Sequence, residues 1–237
     1  MLVLAHRGAR RAAPENTIEA FLAARDHGAD GVELDVHRTA DDGLVVHHDA
    51  DAPGLGVLAE HALAEVRAAF PSVPLLGEVL DACAGLLVNV EIKNSPGDAD
   101  HDPSCRASDL VVELLGRRSG ADDVIVSSFD LATIDRVREL DSGLRTGFLS
   151  FGLDPFDVLE LARSGGHSAI HPDTWTLGAV ATEVVARASG FGIDVNTWTV
   201  NDPEVMRRCA AAGIGALITD VPDEALRALG RAPGPPA

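Results

Sequence analysis

Two short runs of this sequence alternate acidic with apolar residues. In residues 31–36 (GVELDV), Glu33 and Asp35 share one parity and Val32, Leu34 and Val36 the other. In residues 86–93 (LLVNVEIK), Glu91 and Lys93 alternate with aliphatic neighbours in the same way. Side chains two apart on an extended strand point to one face, so each run has an aliphatic face and a charged one. Three carboxylates in one pocket repel, by roughly 4 kcal/mol for each pair ~4 Å apart at an effective dielectric near ~20. A divalent cation would neutralise them, and an oxygen-only donor set suits Mg²⁺ or Ca²⁺ better than zinc. Lys93 is the only lysine among 19 basic residues. A compact ammonium there would hold one carboxylate and meet an anionic substrate. The alternative is a buried acid–base network around Lys93 with no metal.

Two histidines lie at comparable positions. His6 follows the apolar residues 2–5 and precedes Arg7-Gly8; His48 follows a short apolar run and precedes Asp49. Displacement at phosphorus needs a base for the attacking oxygen and an acid for the departing one, and histidine titrates where it can do either. Arg7 offers a fork of donors suited to phosphate oxygens. His47 is a second candidate beside His48.

These residues sit at the ends of regularly alternating elements. Strand-like runs are expected at 2–5, 31–36, 86–92, 123–127, 144–149, 168–170, 193–198 and 215–218. Amphipathic helical segments are expected at about 16–27, 75–83, 106–118, 130–141, 154–165, 176–190, 203–212 and 222–229. Asn16 or Thr17 is placed to cap the first helix; Asp202-Pro203 opens the seventh, and Asp220 to Pro222 leads into the eighth. Glycines at 28, 143, 165, 190 and 213 are expected to end helices. Eight β–α units in strict alternation predict a parallel sheet closed into a single (β/α)8 barrel. Active sites of such barrels form at the carboxyl ends of the strands. Glu33, Asp35, Glu91 and Lys93 should therefore point inward at that rim. Two connections are longer. Residues 37–74 contain an expected hairpin (Gly43, then Leu44-Val45-Val46) and a short helix near 61–69, and residues 94–105 read as a polar, mobile loop. Residues 1–230 form one domain in this reading, and 231–237 (RAPGPPA) a disordered tail.

Composition narrows the function classes. A net charge of −18 opposes nucleic acid and anionic membrane surfaces as partners. No apolar run approaches the ~18–20 residues of a membrane span. Met1 runs directly into residues 2–5 with no leader pattern, and Cys83, Cys105 and Cys209 are odd in number and widely spaced. A reducing, cytoplasmic setting is expected.

The motifs taken in order resemble the glycerophosphodiester phosphodiesterases. His6-Arg7-Gly8 with Pro14-Glu15-Asn16-Thr17 is similar to that family's opening block. Glu33-x-Asp35-Val36, Thr39, Asp41 or Asp42, Gly43 and His48-Asp49 resemble the second block, and Glu91-Ile92-Lys93 the third. Ser128-Phe129, Trp198-Thr199-Val200-Asn201 and Thr219-Asp220-x-Pro222-Asp223 look like later ones. The resemblance implies a TIM barrel of the phospholipase C-like phosphodiesterase type. It also implies one divalent cation, Mg²⁺ or Ca²⁺, and hydrolysis of small glycerophosphodiesters to sn-glycerol 3-phosphate and an alcohol. It carries metal binding onto Glu33, Asp35 and Glu91, acid–base roles onto His6 and His48, and phosphate binding onto Arg7 and Lys93. His48 is preferred over His47 because it directly precedes Asp49, as the motif requires. No separate insertion domain is expected after the second strand.

Other residues are secondary candidates. Trp198 and Phe129 are expected to wall the substrate pocket, and His171 to stand at its rim or on the surface. Glu15 is placed to orient His6 or Arg7. Asp98, Asp100, His101 and Asp102 suggest a second metal or, more simply, a solvated loop. Rival functions are a phospholipase or lyase of the same barrel superfamily, acting on lysophospholipids or inositol phospholipids, and a non-catalytic phosphodiester-binding barrel. Neither 37–74 nor 94–105 shows an exposed apolar helix or an aromatic cluster, which favours soluble, deacylated substrates.

Overall fold

The aliphatic parity of the strands decides the architecture. In the computed structural model, which describes residues 1–118 and 123–234, eight parallel strands close into a barrel. They are β1 (Leu2–His6), β2 (Gly31–Arg38), β3 (Leu87–Ile92), β4 (Asp123–Ser128), β5 (Arg145–Ser150), β6 (Ala169–Pro172), β7 (Asp194–Thr197) and β8 (Ala216–Thr219). Each pairs with its sequence neighbours, and β1 pairs with both β2 and β8, which closes the ring. Val32, Leu34, Val36, Val88, Val90 and Ile92 are buried against Phe21, Leu76, Val79, Leu80 and Val111 of the surrounding helices. Each such side chain contributes about 1.5–3 kcal/mol on burial. The opposite parity, which includes Glu33, Asp35, Asn89 and Glu91, is thereby turned into the barrel.

Eight main helices follow the strands: α1 (Ile18–Asp26), α2 (Leu76–Ala82), α3 (Arg106–Arg117), α4 (Leu131–Leu140), α5 (Pro155–Gly165), α6 (Ala181–Ser189), α7 (Pro203–Ala212) and α8 (Pro222–Ala228). Thr17 caps α1, its side chain accepting from the Ala20 amide, and Asp202 caps α7 through the amides of Glu204 and Val205. The expected helix 176–190 is broken. Residues Thr174–Leu177 form one turn capped by Asp173, Gly178 leaves helical geometry, and α6 starts afresh after a 3₁₀ turn. The end of α5 also differs by one residue: Gly165 is its last helical residue, and Gly166, at φ +70°, makes the left-handed turn.

The two long connections fold onto the rim. Strand Leu44–Val46 runs antiparallel to β2, and helix Leu63–Ala69 closes a small cluster of Val45, Ala52, Leu58, Val66 and Val73. Residues 94–105 are not the free polar loop expected. Asn94 Nδ2 donates to the Asp102 carbonyl (3.0 Å), the Asp102 amide donates to Asn94 Oδ1 (2.7 Å), and the Ser95 amide donates to Asp98 Oδ2 (3.0 Å). Within the segment expected to be a disordered tail, Arg231 and Gly234 make contacts with the barrel. Arg231 pairs with both carboxylate oxygens of Asp30 at 2.7 Å, and the Gly234 amide donates to the His27 carbonyl at 2.8 Å. Residues 235–237 lie outside the described residues. Among the described residues, no helix is long and apolar enough to cross a membrane.

Gly31 shows how tightly β2 and β3 meet, since a Cβ there would stand 2.3 Å from the Leu87 carbonyl oxygen. Gly31→Ala is expected to push β2 from β3 and cost about 1–3 kcal/mol, as overpacking does. Urea denaturation checks this, and an unchanged midpoint would refute the close approach.

Candidate active site

The register of β2 on β3 sets Glu33 level with Asn89 and Asp35 level with Glu91. Three inward carboxylates are thus brought together at the carboxyl ends of two strands. One oxygen from each of Glu33, Asp35 and Glu91 lies within 4.8 Å of the others, and all three residues are buried. Lys93 Nζ sits 2.8 Å from Glu91 Oε1 and 3.5 Å from Asp35 Oδ1. Burial would lower the lysine, but the facing Glu91 and Asp35 charges outweigh it and hold the ammonium firmly protonated. Burial likewise opposes ionisation of Asp35, but Lys93, Arg7 and an Asn16 hydrogen bond win, and its pKa falls. Glu33 and Glu91 are left undercompensated. Burial and then the Asp35 and Glu91 charges push Glu33 well up. Burial, incompletely offset by Lys93, takes Glu91 to about 7. The site therefore retains protons or takes a cation. Its donors are all oxygens, and the buried Asn16 Oδ1 nearby has no hydrogen-bond partner. Both features fit a hard divalent cation.

The residues between β1 and α1 hold the cluster from one side. Arg7, at φ +56°, donates its amide to the Glu33 carbonyl (2.9 Å) and to Glu33 Oε2 (3.1 Å). Its Nη1 donates to Glu15 Oε1 (2.9 Å), and its Nε lies 3.2 Å from Asp35 Oδ2. Glu15 thus orients Arg7, and its second oxygen lies 2.6 Å from Arg10 Nη2. Asn16 is not the helix cap. Its Nδ2 donates to Asp35 Oδ2 at 2.8 Å, leaving the capping to Thr17.

His6 stands beside this group, with Nε2 3.9 Å from Glu33 Oε2 and Nδ1 2.7 Å from Asp220 Oδ1. Asn201 Nδ2 donates to the other Asp220 oxygen at 2.7 Å, and the Asp220 amide donates to Asn201 Oδ1 at 2.9 Å. Burial would raise Asp220, but the His6 and Asn201 hydrogen bonds bring it to about 2. As expected, Asp220 to Pro222 leads into α8, which starts at Pro222, and the residue before that proline, Val221, supplies no side-chain cap. Asp220 and Asn201 fell within quoted motifs, yet their tie to His6 was missed. Arg10, 3.5 Å from Asp220 Oδ1, was missed too.

His48 and His47 separate cleanly. His48 Nδ1 meets Asp49 Oδ1 at 2.6 Å. Burial lowers its pKa, Asp35 opposes that, and the Lys93 and Arg7 cations add to it, so the ring lies within the field of the cluster. His47 instead turns its Nδ1 to the Asp49 carbonyl and its ring towards Phe70. Behind His48 lies an unforeseen support. Buried His37 donates from Nε2 to the His48 carbonyl (3.0 Å), and its Nδ1 meets Asp100 Oδ2 at 2.5 Å. Asp100 is therefore a buried tie between the 94–105 segment and the His48 hairpin, not a solvated loop residue.

Phe129 follows β4 and meets the Trp198 ring edge-on, with centroids 5.3 Å apart. Trp198 Nε1 donates to the His171 carbonyl at 2.8 Å. His171 itself lies inside the barrel and not at its rim. It is 1% exposed, and Nε2 meets Asn196 Nδ2 at 2.9 Å. Its parity on β6 is opposite to that of Ile170, which packs towards the helices.

A cation must displace the proton that Glu91 keeps below about pH 7. Added Mg²⁺ or Ca²⁺ is expected to raise the melting temperature more at about pH 8 than at about pH 6. A chelator should reverse the rise, and Glu91→Gln should abolish it. Thermal melts with and without chelator check this; equal stabilisation of Glu91→Gln would remove Glu91 from the ligand set.

The sequence model of the Glycerophosphoryl diester phosphodiesterase family matches residues 6–224. A curated relative from Caldanaerobacter subterraneus subsp. tengcongensis, named glycerophosphodiester phosphodiesterase, is 30% identical over 94% of this chain and 95% of its own. The glycerophosphodiester phosphodiesterase structure from Thermotoga maritima superposes with a TM-score of 0.80 at 30% identity, covering 98% of each chain. An Oleispira antarctica phosphodiesterase, solved in complex with the product sn-glycerol-3-phosphate, shares the fold with a TM-score of 0.85 at 22% identity, covering 97% of each chain. With the family's first motif opening on His6 and its match running past Asp220, the chain belongs to the glycerophosphoryl diester phosphodiesterase family.

Proposed function

We propose that this barrel, residues 1–230, hydrolyses glycerophosphodiesters to sn-glycerol 3-phosphate and an alcohol. The observation that carries the reading is the convergence of buried Glu33, Asp35 and Glu91 with Lys93, Arg7, His6 and His48. The product bound to the Oleispira antarctica phosphodiesterase supports the same substrate class. Glu33, Asp35 and Glu91 would hold one divalent cation, Mg²⁺ or Ca²⁺, which when bound supplies Lewis-acid polarisation of a phosphoryl oxygen. Arg7 and Lys93 bind the phosphate and share the charge that develops on it. Phe129 and Trp198 wall the pocket. The three cysteines are buried and free of disulfides, in keeping with a reducing, cytoplasmic setting.

Both histidines are held at Nδ1 by a carboxylate, His6 by Asp220 and His48 by Asp49, and their surroundings support different roles. His48, its basicity lowered by burial and by Lys93 and Arg7, takes the proton of the attacking oxygen. His6, with Nδ1 held by the ionised Asp220, carries a proton on Nε2 to the departing alkoxide. Asp220 steadies the positive ring and fixes which nitrogen faces the substrate.

His6→Ala and His48→Ala are each expected to lose about 10²–10⁴ in kcat, the range for a group that transfers a proton in the transition state. His47→Ala should lose little. Release of glycerol 3-phosphate from a panel of short glycerophosphodiesters, with Mg²⁺ or Ca²⁺ and with chelator, is the measurement. Collapse in His47→Ala with full kcat in His48→Ala would reverse the assignment, and full turnover in metal-free protein would refute the cation's part.

Asp100→Ala is expected to lower kcat by about tenfold while KM stays within about twofold, because only the support of His48 is lost. Asp100→Asn, which keeps an acceptor for His37, should retain most activity. In a His48→Ala background Asp100→Ala should add nothing; steady-state kinetics of the double-mutant cycle decide this, and additive losses would dissociate Asp100 from His48.

A further inference from the structure

His6 is oriented by one carboxylate, and that carboxylate is held in turn by the connection after β7. Asp220 gives Oδ1 to His6 Nδ1 at 2.7 Å and Oδ2 to Asn201 Nδ2 at 2.7 Å, so each oxygen has its own partner. Arg10 Nη1 also faces Oδ1, but at 3.5 Å and from a partly exposed side chain, where an ion pair adds little. The orientation of the Asn201 amide is fixed. Its Oδ1 accepts from the Asp220 amide at 2.9 Å and from the Thr219 hydroxyl at 3.1 Å. A backbone N–H can only donate, so the oxygen is assigned and Nδ2 is the atom that meets Asp220 Oδ2.

The connection is pinned on both sides of Asn201. The Val200 amide donates to the Ile218 carbonyl of β8 at 2.9 Å, and Asp202 caps α7 ahead of Pro203. Asn201 itself is exposed and is not the cap, so neither the core nor the helix start depends on its side chain. All three of its side-chain hydrogen bonds go to Thr219 and Asp220, the residues that bring a carboxylate to His6. The terminal torsion of an aspartate is broad. With Oδ2 released, the Asp220 carboxylate is free to rotate, and His6 loses both its orientation and its countercharge. His48 is held separately, by Asp49 on another connection. Loss of Asn201 therefore falls on one chemical event.

Given the hydrolase reading above and its division of the two histidines, we propose that Asn201 is a positioning residue for the proton donor, needed for alcohols that leave as strongly basic alkoxides and not for weakly basic leaving groups. In the step concerned, the attacking oxygen forms its bond to phosphorus and gives its proton to His48. The bond from phosphorus to the leaving oxygen breaks with its electron pair going to that oxygen. The proton on His6 Nε2 passes to the same oxygen and leaves the ring neutral. A p-nitrophenolate departs as a stable anion and needs no such proton.

Asn201→Asp keeps an acceptor for the Asp220 amide and the Thr219 hydroxyl but sets a second carboxylate against Asp220 Oδ2. Asn201→Ala removes the donor without adding charge, a change that an exposed position tolerates. Steady-state kinetics with Mg²⁺ or Ca²⁺ compare glycerophosphocholine with glycerophospho-p-nitrophenol. Both variants are expected to lose about 10- to 100-fold in kcat on the choline ester, with KM within about twofold, and to stay within about threefold of the unsubstituted protein on the nitrophenyl ester. In a His6→Ala background Asn201→Ala should add nothing on the choline ester. Equal losses on the two esters, or none on either, in variants whose thermal melts show them folded, would overturn the proposal. If His6→Ala is then still selective for the choline ester, the reading of His6 as proton donor stands. Equal losses on both esters in His6→Ala would overturn that reading and the proposal with it, and hydrolysis of neither ester by the unsubstituted protein would overturn the hydrolase reading and both.

Discussion

Like charges do not gather in a protein interior unless the surroundings oblige them to, and here Glu33, Asp35 and Glu91 lie within 4.8 Å of one another and buried. Much of the architecture exists to make that repulsion tolerable. Aliphatic residues of the alternate parity are locked against the helices, so the acids cannot turn outward without exposing the core. Lys93 and Arg7 stabilise Asp35 as an anion, while Glu33 and Glu91 are left with raised pKa values. That residual imbalance is one that a bound cation could relieve. A fully compensated cluster would be a structural salt bridge with no affinity left for a cation.

Polar residues around the cluster serve the site at the expense of local structure. Asp220 would be a good helix cap, yet it bonds to His6 and Asn201 and leaves α8 with Val221 at its start. Asn16 adopts a left-handed backbone to reach Asp35, and Arg7 does the same to place its amide on Glu33. Left-handed geometry is costly for residues other than glycine, and such costs concentrate where function requires them. The long connections act likewise. His37 and Asp100 join the hairpin that carries His48 to the 94–105 segment, and Arg106 at the start of α3 reaches back to Asp42. The backbone carbonyl of His48 is thereby tied, through His37 and Asp100, to a second connection.

The opposite wall of the mouth follows another logic. Phe129, Trp198 and Phe151 form a row of ring contacts at the ends of β4, β7 and β5, reaching from beside the Glu91 strand towards the far side of the barrel. One side of the mouth handles charge with fixed oxygens and cations, and the other offers apolar surface. That division suits a ligand with a phosphodiester centre and a less polar end.

Alternation of apolar and polar residues determined most of what the sequence alone could say. It placed the eight barrel strands to within a residue or two and gave Glu33, Asp35 and Glu91 a common inward face, because parity along a strand is a local property. That His6, Arg7, His48 and Lys93 lie beside the acids was also legible, from their positions at the ends of strand-like runs. What only the tertiary structure decided were the partners. His6 and Asp220 are 214 residues apart, His37 and Asp100 are 63 apart, and Arg231 and Asp30 are 201 apart. No spacing rule links such pairs; they meet because closure of the barrel sets β1 beside β8 and folds the long connections over the rim. Closure also put His171 inside the barrel, brought Arg231 against Asp30, and assembled an apolar groove from connections that are each ordinary in sequence. Chain-local periodicity fixes which way a side chain faces, but what it faces depends on the strands that closure brings alongside.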